Sequence, residues 1–258
     1  MSRIHYFLAG VLAIGVLLGT SLVDAADPAE HEQGLQPFTA LSYEIAGELT
    51  LVAADTPYLT MTATERQREA IEVLVRDETL VLRRAKGSRF VDLDDVRIQV
   101  GYERLRRLAV TGSGTAIVPS LVSDQFDLAL SGSGDVQVAS LQAEALSLNL
   151  AGSGEINIET LAVTEARSNI AGSGDILLAG TAQAQSLNVA GSGDYRAKEL
   201  ESLQAEINIA GSGDASLQVR EALRGSIFGS GDVRYRGTPE VAVRVLGSGT
   251  VEALEQAL

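Results

Sequence analysis

The tripeptide Gly-Ser-Gly occurs eight times in this chain, beginning at Gly112, Gly132, Gly152, Gly172, Gly191, Gly211, Gly229 and Gly247. The intervals are 20, 20, 20, 19, 20, 18 and 18 residues, and sixteen of the 26 glycines belong to the repeat. A fixed period near 20 is the signature of a solenoid, in which each unit buries its apolar face only against its neighbours. Counted from the first glycine, positions −4 and −2 are apolar in most copies, as in Leu128/Leu130, Leu148/Leu150, Leu187/Val189, Ile207/Ile209 and Val243/Val245. Positions +4 and +6 repeat the pattern with Val136/Val138, Ile156/Ile158, Ile176/Leu178 and Val233/Tyr235. A spacing of two is the strand period, and runs this short between paired glycines cannot be amphipathic helices.

Each unit therefore reads as strand, Gly-Ser-Gly corner, strand, second corner, the second corner often carrying a leucine (Leu121, Leu141, Leu161, Leu200). The predicted class is all-β: a parallel β-helix of about eight coils, stacked at about 4.8 Å into a rod of roughly 38 Å. Residues 38–110 lack the tripeptide but alternate in the same way, and Asp77-Glu78 suits a tight hairpin turn. They are expected to form an irregular first part of the same domain that covers the N-terminal end, where bare strand edges would invite aggregation. Residues 251–258 are expected to form a final half-turn or a one-turn helix as a C-terminal cap.

Residues 1–25 have the three parts of a secretory signal peptide: a positive start at Arg3, an apolar run from Tyr6 to Val23, and Val23-Asp24-Ala25 as a cleavage site. Retention of the same run as a membrane anchor is the alternative, since about 18 apolar residues just span a bilayer. Either way the body is expected to be exported, to the periplasm or cell surface or beyond, and no later segment reads as a membrane-spanning helix. Residues 26–37, polar with two prolines, read as a flexible connector to a single domain over 38–258.

With Asn149-Leu-Ala-Gly-Ser-Gly154, Asn169-Ile-Ala-Gly-Ser-Gly174, Asn188-Val-Ala-Gly-Ser-Gly193 and Asn208-Ile-Ala-Gly-Ser-Gly213 in register, the chain resembles a bacterial family, the putative auto-transporter adhesin, head GIN domain family. The resemblance covers about residues 38–255. It implies a fold similar to the pectin-lyase-like right-handed β-helices without their catalytic residues, and a role in adhesion.

Composition narrows the chemistry. The net charge of −14 argues against a nucleic-acid partner, whose phosphates require Lys and Arg. Without cysteine there is no disulfide framework, thiolate metal site or cysteine nucleophile, and the two histidines, His5 and His31, leave only His31 in the body for a triad or zinc site. An acid follows the tripeptide in six copies: Asp135, Glu155, Asp175, Asp194, Asp214 and Asp232. This column is the candidate metal site, for calcium, which takes clustered oxygens. The alternative is that the acids accept hydrogen bonds from corner N–H groups. Two carboxylates at that spacing repel by only about 1 kcal/mol in water, which a charge-assisted hydrogen bond of about 1.5 kcal/mol offsets without a metal.

The asparagines at position −3 should point outward and form an amide ladder, the middle serines should serve hydrogen bonding at the corner, and the corner glycines should supply positive φ or close approach. Arg83, Arg84, Lys86 and Arg89, with Arg104, Arg106 and Arg107, are the positive clusters. With Asp92, Asp94 and Asp95 nearby they read as a solvated charged face, the alternative being contact with an anionic surface. The expected function is that of an exported, non-catalytic solenoid acting by surface contact, in adhesion or envelope scaffolding, on envelope or cell-surface glycans or proteins. The alternatives are a polysaccharide-binding or polysaccharide-cleaving β-helix and a calcium-dependent extracellular module. No cofactor is expected apart from the calcium of that last reading. A sugar-cleaving enzyme would need long loops, which the even intervals leave no room for, and more stacking aromatics than Phe126, Tyr195, Phe228 and Tyr235.

Overall fold

The computed structural model describes residues 28–254. The proposed leader and its cleavage site lie outside the described residues. The strands in chain order are β1 (Ala29–Gly34), β2 (Ala40–Glu44), β3 (Glu48–Ala53) and β4 (Tyr58–Ala63), then a short helix α1 (Glu65–Glu69), β5 (Ile71–Arg76), β6 (Thr79–Arg84) and β7 (Arg97–Tyr102). The repeat region follows as β8 (Arg107–Gly112), β9 (Thr115–Val118), β10 (Leu121–Val122), β11 (Gln125–Gly132), β12 (Asp135–Val138), β13 (Leu141–Gly152), β14 (Glu155–Gly172), β15 (Asp175–Gly191), β16 (Tyr195–Gly211) and β17 (Ala215–Gly229). The last coil is β18 (Val233–Arg236), β19 (Glu240–Gly247) and β20 (Val251–Ala253).

The fold is the β-solenoid that the repeat predicts, with about seven turns. Parallel pairing runs in strict register along one side, Gly112↔Gly132↔Gly152↔Gly172↔Gly191↔Gly211↔Gly229↔Gly247, so equivalent repeat positions stack as columns. Positions −4 and −2 and positions +4 and +6 face each other across the interior, where Leu128, Leu148, Ile156, Ile176 and Leu217 are all fully enclosed.

The corner rests on backbone chemistry. From the second copy on, each middle serine donates its backbone N–H to the first-glycine carbonyl of the coil before, from Ser133 N to Gly112 O at 2.9 Å through Ser248 N to Gly229 O at 2.9 Å. The expected serine hydrogen bonding is thus carried by the main chain. At Gly152, φ is +130° and a Cβ would overlap the Gly132 carbonyl oxygen, so both positive φ and close approach require glycine there. Gly112, first in the stack, has φ +105° but open space where its Cβ would be.

The N-terminal region is threaded out of sequence order. The coil β2–β3 lies between the coil β6–β7 and the coil β8–β9: β2 pairs with both β6 and β8, and β3 with both β7 and β9, all parallel. The outer coil is then sealed by antiparallel strands, β5 on β6 and β4 on β7, with β1 on β4. Asp77 and Glu78 make the β5–β6 turn with φ of 49° and 57°, both central residues left-handed as the tightest hairpins require. Residues 29–34 are therefore a strand rather than part of a flexible connector. β4 offers a free ladder edge, and a polar sequence exposed on both faces suits the outermost strand of a sheet. At the other end, Val251–Ala253 continues the solenoid as β20 against β18. Residues 255–258 of the expected cap lie outside the described residues.

Gly112→Ala isolates the φ strain and should destabilise by about 1–3 kcal/mol. Gly152→Ala adds the backbone overlap and should lose roughly a further 1–3 kcal/mol. Urea unfolding midpoints at unchanged slope measure both, and equal losses would refute the close-approach account.

Candidate functional site

Two columns gather the side chains capable of chemistry. The acid column runs beside the corners, as its spacing requires. Asp135, Asp175, Asp194, Asp214 and Asp232 each turn Oδ1 to the backbone N–H of the next coil's equivalent residue, at 3.3, 3.2, 3.1, 2.9 and 2.9 Å. Glu155, one methylene longer, does not join this chain; the Asp175 N–H above it bonds the Gly154 carbonyl at 3.1 Å instead.

The second oxygens meet two arginines that the column pattern alone does not reveal. Arg196 bridges Asp175 and Asp194 at 3.0 and 3.2 Å, and Arg234 bridges Asp214 and Asp232 at 3.2 and 3.0 Å. Both stand two residues after an acid of the column, the spacing that puts them on the same side of one strand. Four of the six acids thus have one oxygen on an N–H and the other on a guanidinium, which answers their mutual repulsion within the chain. Among the described residues no group of three or more His, Cys, Asp or Glu is arranged to hold a metal.

The second column is the amide ladder. Asn169 Nδ2 donates to Asn149 Oδ1 at 3.0 Å, Asn188 to Asn169 at 3.1 Å and Asn208 to Asn188 at 3.4 Å, and Ser226 Oγ closes the row on Asn208 at 2.9 Å. Beside it runs the position −1 column, Ala151, Ala171, Ala190 and Ala210, which changes to Phe228 and then Leu246. The small alanines leave a shallow depression of about 450 Å³ between the amides and the corner, walled at one end by Phe228, which is 55% exposed. The ladder uses one donor and one acceptor of the central amides, leaving an N–H and a lone pair of each for a partner.

A second depression, of about 680 Å³, follows the leucine corners and is flanked by Arg104, Arg106 and the exposed Val122. The other basic residues divide. Arg84 Nη1 holds the 85–96 loop through the Ser88 and Val91 carbonyls at 3.0 and 2.6 Å. Arg83 pairs with Glu72 across the β5–β6 hairpin at 2.8 Å, and this bond holds the Glu72 carboxyl below the usual carboxylate range. Arg107 lies 3.8 Å from Asp127.

One buried polar chain interrupts the apolar interior. The Tyr195 hydroxyl donates to Gln185 Oε1 at 3.0 Å, Gln185 Nε2 to Ser202 Oγ at 2.7 Å, and Ser202 Oγ to the Gln218 carbonyl at 3.0 Å. Gln185 stacks between Ala166 and Ala205, whose small side chains make room for the phenol. Burial pushes the Tyr195 hydroxyl well above its ordinary value, so it stays a neutral donor. The sequence signal is a break in each column, a tyrosine between Ile176 and Ala215 and a glutamine between two alanines.

These features define a class, a parallel β-solenoid that displays ladders of side chains on smooth faces. The chain belongs to the family described as "Putative auto-transporter adhesin, head GIN domain", whose profile matches residues 37–160 and again 127–239. It is similar in structure to a putative lipid binding protein from Parabacteroides distasonis ATCC 8503, 28% identical, with a TM-score of 0.83 over 89% of this chain and 97% of that one. A putative adhesin from Parabacteroides merdae ATCC 43184 shares the fold at 21% identity and a TM-score of 0.82, covering 89% of this chain and 97% of that one. Another from Parabacteroides distasonis ATCC 8503 does so at 22% and 0.81, over 89% and 98%. No curated protein matches the chain.

Thr250, through its hydroxyl and then its N–H, holds the Asp232 carboxyl below its ordinary value of 3.8, and Arg234 adds to the effect. A lowered pKa in the folded state contributes stability that is complete above about pH 5 and is lost as pH falls through the lowered value. Asp232→Asn keeps an acceptor for the Thr250 N–H but removes the charge. Its melting temperature should lie below that of the wild type at neutral pH and converge with it in acid, as pH falls through the lowered value. A difference that persists undiminished in acid would refute the ionic role.

Proposed function

We propose that the protein is exported to the bacterial envelope and works there by surface contact, as a non-catalytic adhesin-like solenoid whose contact face is the Asn-Ala strip ending at Phe228. The observation that carries this reading is the face itself. In a chain where 21% of residues are charged, the two neighbouring columns from Asn149 to Ala210 hold no charge and no interrupting loop. Amide ladders with free donors and acceptors, a flat apolar floor and one exposed aromatic suit hydroxyl-rich or amphipathic surfaces better than highly charged ones. Family membership and the descriptions of its structural relatives as adhesins or a lipid binding protein support the same reading. Contact should be independent of calcium, because the acid column's oxygens are largely engaged by N–H groups and by Arg196 and Arg234.

The test is retention of the purified protein on isolated bacterial envelopes, glycan arrays and phospholipid vesicles, with calcium and then with chelator. Saturable retention that survives chelation and falls severalfold in Phe228→Ala is the expected result. Phe90→Ala, which removes the 91%-exposed aromatic of the 85–96 loop, should leave retention unchanged. Retention abolished by chelator would transfer the role to the acid column. Equal loss in both variants, or no retention on any surface, would overturn the proposal.

A further inference from the structure

The two ends of the rod are finished differently. The N-terminal end is sealed by the antiparallel strands β5, β4 and β1. At the C-terminal end, β19 pairs with β17 alone among the described residues. Val241, Val243 and Val245 occupy the inward columns of Leu223, Gly225 and Ile227, yet Val241 and Val245 are 40% and 36% exposed where Leu223 and Ile227 are fully buried. The Ser248 N–H points to Gly229 on β17, so by alternation the N–H and C=O groups of 241, 243 and 245 point to the open side. This edge holds an apolar core cross-section and a row of six backbone groups without a partner among the described residues.

We infer that the open edge pairs with a second copy of the chain, β19 antiparallel to β19 about a two-fold axis, giving an end-to-end dimer. Three constraints select this partner and register. A head-to-tail stack would set β19 on β5 or β1, the outer antiparallel strands, and would propagate as an open filament, whereas pairing of like ends closes on itself. A core that continues across the junction must keep inward residues opposite inward residues, which allows only registers pairing odd with odd. Among these, the register centred on Val243 pairs Val243 with itself and Val241 with Val245, uses all the free backbone groups of those residues, and leaves each Arg244 diagonal to the second copy's Glu240. Diagonal neighbours on one face of an antiparallel pair lie within reach of long side chains. The register centred on Arg244 would instead oppose two like charges. The inference stands apart from the adhesin reading, since it concerns assembly and not the surface contacted.

Sedimentation equilibrium of the purified protein should give twice the chain mass. The chain has no cysteine, so Val243→Cys introduces a single thiol that the axis sets against itself. Hydrogen-bonded antiparallel partners lie about 5.5 Å apart at Cα, within disulfide range. Val243→Cys should therefore crosslink into a covalent dimer on mild oxidation, whereas Val122→Cys, on an exposed site elsewhere, should not. Arg244→Glu should leave a folded monomer by circular dichroism, and Glu240→Arg with Arg244→Glu should restore the dimer. A monomer at high micromolar concentration, crosslinking of Val122→Cys as readily as Val243→Cys, or no rescue by the charge swap would overturn the inference. So would a monomer that dimerises only after removal of residues 255–258, which would make the chain's own tail the occupant.

Discussion

The structure depends on one contact, the approach of backbone to backbone at the Gly-Ser-Gly corner. Each first-glycine carbonyl receives the serine N–H of the next coil, and the Cβ that any other residue would carry overlaps that carbonyl. Because the corner admits only one separation between coils, the strands on either side inherit the same register. The apolar positions then meet their own equivalents above and below, and the interior becomes a stack of near-identical layers. Ladders on the outer faces are the same regularity seen from outside, so the asparagine row, the alanine floor and the acid column all derive from the glycines.

Regularity also limits what the solenoid can do. A side chain in a column always faces its own kind, which suits amides, whose donors and acceptors alternate, and burdens carboxylates, which only repel. The acid column is tolerable because five of its six carboxylates bond an N–H and because Arg196 and Arg234 each serve two acids. Departures from the repeated chemistry then arise where a column changes identity. Phe228 ending the alanine floor is one such place, and the Tyr195–Gln185 pair in the core is another, a polar cross-brace in the coil that has dropped one residue of the period.

What repeats is legible in a sequence, because eight copies vote on the same position; what occurs once is legible only where a local signal marks it, as Asp77-Glu78 marks a turn. The corner, the strand flanks, the amide ladder and the hairpin at Asp77-Glu78 could all be read from residue order. The insertion of β2–β3 between two later coils could not, since the alternation of Phe38 to Ile45 fits any parallel slot and nothing local says which neighbours will flank it. The six residues of β1, none a large apolar one, carry no periodic signal at all; a strand with both faces in water needs only an edge to pair with. Arg196 and Arg234 were visible as residues, but their roles required the vertical neighbours that only stacking supplies.

The out-of-order threading of the first coil has a mechanical consequence. A coil added in sequence order can be peeled from a solenoid one at a time, each step breaking only one interface. β1 can peel from β4 alone, but behind it β2–β3 is held on both faces with β4 to β7 beyond it, so tension on the N-terminal segment then draws against two ladders at once. Tension on the C-terminal segment meets β19 with a single partner within the chain. Stretched along its length, the rod has a favoured direction of failure, unwinding from the last coil while the interleaved first coil holds.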